Sequence, residues 1–265
     1  MNIQSFRFTI VSLALIGLSF LTMPTVIILI ASLTDGSTLR FPPDGFSLRW
    51  YIALLDSTQL QRAAWTSIKV GLWTAAISVV LGTAAALAIA RSQKAWARSL
   101  DSLFMSPLIL PAVGFGLAFL MMLATLGIRL SLVTLIIAHV VVCVPFVVRT
   151  TSASIQQLDS NLFEASESLG ATRLFTFWYV TLPLISRGIG AGAFLAFMAS
   201  FDNVPVSLFV ADARTEVLPI RMWHMIEGTL DVRVAAVSGV LIIFTLVLMV
   251  IMDRFAGLSR QFVRK

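Results

Sequence analysis

Asp202 stands between Phe201 and Asn203 in an otherwise uncharged run of apolar sequence, residues 188–211, with Pro205 three residues on. If that run crosses a bilayer, a carboxylate near its centre costs about 2.5–3.5 kcal/mol on insertion scales, so it has to face a cavity or a partner. Pro205 carries no amide hydrogen, which leaves the Phe201 carbonyl without its usual helical donor. That carbonyl, the Asp202 carboxylate and the Asn203 amide would together make a station for a cation. At 1.5 Å per residue, Asp202 lies roughly 21 Å along the run from Gly188, past the midplane. The competing reading is structural, with Asp202 bonded to Ser200, to backbone amides or to Lys69.

A second concentration of polar chemistry lies at 164–183, EASESLGATRLFTFWYVTLP. Glu164, Glu167 and Arg173 gain nothing from hydrocarbon, so this stretch sits in water or against another protein. Asp159, Ser160 or Asn161 can cap a helix start, and Asn161 has Glu164 three residues on, as in a capping box. A short helix then runs through Leu162, Phe163 and Ala165 to Leu169, where Gly170 stops it by accepting the left-handed conformation. Thr172 caps a second short helix through Val180, and Pro183 breaks the chain before the next apolar run. Ala165, Ser166 and Ala171 are small enough to let a partner approach the turn, while Phe163, Phe175, Phe177 and Trp178 would anchor the hairpin. The residues alone leave two readings open: a docking handle, or an amphipathic connector on a membrane surface.

The groups a catalyst would need are missing. No GxxxxGK[ST] phosphate loop is present, so the chain does not bind ATP by that device. His139 and His224 have no metal-ligating neighbours at usable spacing, and His139, inside an apolar run, reads as a buried polar contact. Cys143 is the single cysteine and forms no disulfide within the chain. No Ser, His and Asp grouping points to hydrolysis.

The elements that must position these residues are membrane helices. Of 265 residues, 58% are hydrophobic and 12% charged, and mean hydropathy is +0.94, where a soluble domain is roughly 45–50% apolar. Six runs, 8–33, 70–90, 102–128, 130–148, 188–211 and 234–252, reach the roughly 17–25 residues of a spanning helix. None alternates with the period of two that a membrane barrel requires. The expected fold class is an all-α membrane protein of six transmembrane helices, one domain over 1–265. The first run exceeds the roughly 7–15 residues of a signal peptide's apolar region and only Arg7 precedes it, so it reads as a retained helix.

Loop charge orients the bundle. With the amino terminus inside, inner segments hold Arg7, Arg91, Lys94, Arg98, Arg149, Arg173, Arg187, Arg254, Arg260, Arg264 and Lys265. Outer segments hold Arg40, Arg49, Arg62, Arg129, Arg214, Arg221 and Arg233, offset by an equal number of acids. The Lys and Arg excess falls on the side of both termini, which the positive-inside rule makes cytoplasmic. The pI near 10.4 then answers to anionic headgroups rather than to nucleic acid. On the outer side, Pro42, Pro43 and Gly45 mark a turn, followed by a short interfacial helix with Trp50 and Tyr51 at headgroup depth. The polar loop 212–233 reads as dipping back into the bundle. Gly188 with Gly192, and Gly82 with Ala86 and Ala90, form faces on which helices can approach closely, and Pro24, Pro111 and Pro145 kink theirs.

The stretch 164–183 resembles the EAA motif of permease subunits in bacterial ATP-binding cassette (ABC) importers: EAA, three residues, G, nine residues, I, one residue, LP. Glu164, Ala165, Gly170, Leu182 and Pro183 stand at matching positions, with Ser166 for the second Ala and Val180 for Ile. SPLILPAVGFGLAFL in the third run, SFDNVPVSLFV in the fifth and EVLPIRMW after it are similar to the spermidine/putrescine permease branch, specifically its second permease subunit. Members of that branch also resemble permeases for aminoethylphosphonate, ferric iron, and opine or amino-acid-like solutes, and often carry a second acid where this chain has Asn203.

The resemblance covers nearly the whole chain. It implies a type I ABC importer (MetI-like) permease fold in the bacterial inner membrane, with a cytoplasmic coupling helix in the hairpin 159–183. Glu164, Ala165, Ser166, Gly170, Ala171 and Pro183 would form the ATPase-coupling element, and Phe201, Asp202 and Asn203 would lie on the path of a polyamine or related organic cation. It further implies no cofactor in this chain, with ATP and Mg bound by a dimer of partner ATPase subunits. A second, related permease would complete a heterodimer, and an extracytoplasmic solute-binding protein would deliver the solute; Trp223 and Met225 in the last outer loop are candidates either to cover the outer gate or to touch that protein. A self-sufficient secondary transporter is the alternative; it would need several intramembrane polar residues, and Lys69, Asp202 and His139 are the candidates.

Overall fold

In lipid a backbone can satisfy its N–H and C=O groups internally only as a helix or a closed barrel, and runs without alternation leave the helix. The computed structural model describes residues 3–90, 92, 94–159, 161–229 and 231–256. Among them every element is helical apart from one isolated antiparallel bridge, Thr34–Phe46. Five helices are long and apolar enough to cross a membrane: α1 (Ile3–Ser32), α3 (Thr58–Ala90), α6 (Leu132–Gln156), the helix ending in α9 (Leu182–Phe201), and α12 (Arg233–Ala256). A bent pair, α4 (Ala95–Ile109) and α5 (Ala112–Thr125), meeting at 101°, reaches that length and hydropathy only when its two helices are taken together.

That pair replaces the single span expected over 102–128. Leu110 is extended, φ −71° and ψ 140°, because the ring of Pro111 disfavours helical geometry in the residue before it. Pro111 stands at the start of α5, where no amide donor is needed. Helix α6 departs from expectation in the other direction. It opens on a capping box between Ser131 and Thr134 and continues to Gln156, well past 148, so the connection that follows is shorter than the loop read from 149.

The chain forms two compact units, residues 1–61 with 222–248 and residues 62–221 with 249–265. In the first, α1 buries none of its apolar window within the chain. Ser32 at its end bonds Tyr51 of α2 (Arg49–Asp56), Oγ to OH 2.7 Å, and the Tyr51 hydroxyl also lies against Gly239 of α12. The Trp50 indole donates to the Gly36 carbonyl at 3.1 Å, with the Arg49 guanidinium 4.7 Å from its ring centre. The N–H of Trp50 and the O–H of Tyr51 thus both find partners within the protein. Asp231 accepts from the Arg233 amide at 2.9 Å and from its guanidinium at 2.9 Å. The guanidinium bond leads the interactions that hold this carboxyl below its ordinary range.

In the second unit, packing rests on small residues. The hydrophobic effect does not drive helices together inside a bilayer, so close backbone approach must supply the contact. A Cβ on Gly192 would lie 2.5 Å from Thr150 Oγ1 and 2.8 Å from Val147 Cα of α6, and one on Gly188 would lie 2.7 Å from the Thr150 carbonyl. Gly82 of α3 meets α6 in the same way, 2.7 Å from Val147 Cβ. Around this seam Leu135, Val148, Val206 and Val210 are fully buried. The loop expected over 212–233 is largely a helix, α11 (Leu218–Thr229), anchored where the Leu218 amide donates to Ser67 Oγ at 2.8 Å.

Candidate functional site

Two interruptions of helix carry the polar chemistry. The first is the hairpin. Asp159 Oδ1 accepts from the Asn161 amide at 3.0 Å, and Asn161 is the first residue of α7 (Asn161–Ser168). The capping box expected between Asn161 and Glu164 is therefore not made, since a cap precedes the first helical residue. Ser160, the third candidate cap, lies outside the described residues, as do Arg91, Arg260, Arg264 and Lys265 of the charge count. Gly170 takes φ +78°; its amide bonds the Glu167 carbonyl at 2.9 Å and the Ala171 amide bonds the Ser166 carbonyl at 3.1 Å. This crossed pair is the Schellman closure, and a side chain at 170 would add the strain of the left-handed form, about 1–2 kcal/mol.

Thr172 Oγ1 then accepts from the Phe175 amide at 3.3 Å, starting α8 (Arg173–Thr176). This helix does not run to Val180, and Pro183 does not break the chain. A π-helical turn, Phe177–Thr181, follows, in which the Leu182 amide reaches back to the Phe177 carbonyl. It leads directly into α9, where Pro183 sits in the first turn and its missing donor is tolerated.

Within the hairpin, Ser166 is buried and its hydroxyl bonds Thr176 Oγ1 at 2.8 Å. It fastens α7 to α8 while still lining the groove beside Ala165, Gly170 and Ala171. Glu164 and Ala165 are exposed, and Leu169 is 89% exposed. Phe175 and Trp178, expected as anchors, face outward. Phe175 stacks on Tyr179 at 4.5 Å, since residues four apart share one helical face. Ala165, Leu169, Gly170, Ala171 and Phe175 line a groove of about 620 Å³.

The second interruption divides the fifth span. Helix α9 ends at Phe201, and Asp202 closes it with its amide on the Met198 carbonyl at 3.1 Å. Asn203 Oδ1 accepts from the Val206 amide at 3.0 Å and starts α10 (Val204–Val210). Pro205 falls in the first turn of this new helix, so the break is a stop and restart, not a carbonyl freed by proline within one continuous helix. The Asn203 side-chain oxygen is committed to the backbone. Phe201 is 8% exposed and stacked on Phe197, centroids 5.7 Å apart. Asp202 is exposed, and no ion pair joins it to Lys69 among the described residues.

Ser200, offered as an alternative partner of Asp202, is engaged elsewhere. His139 of α6 is fully buried, with Nδ1 2.8 Å from Ser200 Oγ and Nε2 3.1 Å from Ser207 Oγ. The lone buried histidine therefore ties α6 to both sides of the break. Sequence reasoning found the histidine and missed its partners; the available signal was a pair of serines seven residues apart, flanking Asp202 to Pro205. Just beyond α10, Asp212 accepts from the Thr215 hydroxyl at 2.7 Å and from the amides of Arg214 and Thr215 at 3.0 and 2.9 Å. These bonds, the hydroxyl's first, hold its carboxyl below the ordinary value. Among the described residues no group of three His, Cys, Asp or Glu could hold a metal.

The model of the family described as binding-protein-dependent transport system inner membrane component matches residues 78–265. The chain is similar to the spermidine/putrescine transport system permease protein PotC of Escherichia coli (strain K12), 28% identical over 232 residues, which is 88% of this chain and 88% of that protein. It is also similar to the putrescine transport system permease protein PotI of the same strain, 28% identical over 235 residues, covering 86% and 83%. Among solved structures, a chain of a bacterial alginate ABC transporter, in complex with an alginate pentasaccharide-bound periplasmic protein, superposes with a TM-score of 0.70 at 16% identity, covering 99% of this chain and 96% of that one. That likeness sets the fold among ABC importer permeases.

Proposed function

This chain belongs to the family of binding-protein-dependent transport system inner membrane components, and from that premise we propose that the solute it passes is a polyamine or a related small organic cation. The chain is a multi-pass, non-catalytic permease subunit of an ATP-driven importer in the inner membrane, and its partners are of the ABC importer kind. The observation that carries the choice of solute is the likeness, along 88% of the chain, to a permease named for spermidine and putrescine transport. The exposed Asp202 at the helix break supports it. A carboxylate facing lipid is disfavoured by about 2.5–3.5 kcal/mol, whereas one facing the path gains a charge-assisted bond to a passing ammonium. Phe201 and Asn203 shape the break that presents it.

On the cytoplasmic side, Glu164, Ala165, Gly170 and Ala171 form the surface that seats against an ATPase subunit, while Ser166 and Pro183 hold the shape behind it. Closure of two ATPase subunits around ATP and Mg pushes the hairpin and rocks the helices about the central path. A second, related permease completes a heterodimer, a solute-binding protein delivers cargo from outside, and the Lys and Arg excess puts both termini in the cytoplasm. Reconstitution with the two ATPase subunits, the second permease and the binding protein tests this. Labelled putrescine and spermidine should accumulate in an ATP-dependent, saturable way, competed by unlabelled polyamine and not by aminoethylphosphonate, ferric complexes or amino acids. Accumulation of one of those competitors without polyamine uptake would reject the solute, and flux through this chain alone would favour a secondary transporter.

A further inference from the structure

We propose that His139 is a positioning residue, holding the fifth span in its broken form and so setting where Asp202 stands; this rests on the reading of Asp202 as part of the solute path. Ser200 and Ser207 are seven residues apart, so in an uninterrupted helix they would share a face and lie about 10 Å apart along the axis. The imidazole with its two bonds, 2.8 and 3.1 Å, reaches roughly 8 Å at full stretch. Engaging both serines at once therefore favours the interrupted helix over the continuous one.

The clamp is deeply placed. His139 is 0% exposed, Ser200 3% and Ser207 1%, and a polar atom stranded there has no water to turn to. An imidazole with one N–H donates to one hydroxyl and accepts from the other, so all three side chains are satisfied together. Asp202 lies in the short segment between the two anchors, exposed while its neighbour Phe201 is buried. With both ends of the segment pinned to α6, the carboxylate has one station. Without the imidazole, Asn203 and Pro205 still favour a restart and Val206 and Val210 still share a buried core with Leu135 and Ala138 of α6, but no hydrogen bond to His139 fixes where along α6 the restart sits.

The test uses the complete importer in liposomes, with putrescine uptake read as KM and maximal rate separately. Replacing His139 with Leu keeps volume and removes both bonds. It should raise KM about tenfold while the maximal rate changes by less than about threefold, the pattern of lost solute binding. His139→Gln, whose amide both donates and accepts, should return KM to within about threefold of wild type. The double variant Ser200→Ala with Ser207→Ala should match His139→Leu, and adding it to His139→Leu should change KM no further, because the same bonds are already gone. If His139→Leu fails to assemble, the serine pair decides, since it removes only two oxygens. Wild-type KM in the serine pair, alongside a raised KM in Asp202→Asn, overturns the clamp and leaves the solute path standing. Wild-type KM in Asp202→Asn overturns both.

Discussion

The hairpin at 159–183 and the break at 201–207 are both stops and restarts of helix, yet they are held by different kinds of bond. Every bond described in the hairpin joins residues close in sequence: Asp159 with Asn161, Gly170 with Glu167, Ala171 with Ser166, Thr172 with Phe175, and Ser166 with Thr176 ten residues on. The break has its own local bonds, Asp202 with Met198 and Asn203 with Val206, but it is also bound from another helix by His139, 61 residues from Ser200 and 68 from Ser207. A device closed by its own bonds keeps its shape when a partner presses on it, which suits a part that transmits force. A device closed by a neighbouring helix changes when the two helices shift, which suits a part that responds.

Several substitutions would break or sharpen that contrast. The largest effect is expected at Gly170→Val, which forces a β-branched residue into the left-handed form at about 1–2 kcal/mol and unseats the turn. ATP-driven uptake should fall more than about tenfold, and a transport assay showing wild-type uptake would mean the hairpin does not transmit. Next comes Asp202→Asn. Exchanging a charge-assisted bond for a neutral one removes roughly 1–2 kcal/mol, so KM for putrescine should rise about tenfold with ATP hydrolysis still coupled to whatever solute enters. A pronounced fall in maximal rate at unchanged KM would move Asp202 out of the binding step.

A smaller loss is expected from Ser166→Ala, which removes the side-chain bond between α7 and α8, worth about 1 kcal/mol, while the Thr176 hydroxyl keeps its bond to the Thr172 carbonyl at 3.2 Å. Amide exchange should rise within α7 and α8 alone, and uptake should drop roughly two- to fivefold. Faster exchange in α10 would contradict the local closure of the hairpin. The smallest effect serves as a control outside both regions. Asp212 is held below the ordinary 3.8, so its contribution to stability is fully present above that value and is lost as pH falls through the depressed one. The thermal midpoint of the assembled protein should be level from about pH 7 to 5 and decline below about pH 4, and Asp212→Asn should lessen that decline.

The same contrast explains what could be read from the chain before its structure. The stop at Gly170 and the cap at Thr172 were legible because each depends on neighbours within a few residues. Errors arose where a local rule met a competing one. Asn161 yielded the cap position because the helix begins at it, Pro183 was absorbed by a π-helical turn, and Pro111 turned one expected span into two helices at 101°. The bond of Ser166 was not legible, because its partner Thr176 lies across the turn. The stripe of Gly188 and Gly192 announced a close helix contact without naming α6.

By itself the sequence determined a helical membrane protein, the position of its polar hairpin and the one acid in its fifth span. Those follow from hydrophobic run length, from capping chemistry and from the cost of charge in lipid, all of which act over a turn or two of chain. Only the tertiary structure decided that the fifth span is two helices, that Asn203 is consumed in starting the second, and that His139 holds both. Those facts depend on which faces of α6, α9 and α10 meet, and a hydrogen bond across 61 or 68 residues leaves no periodic trace in the chain that makes it.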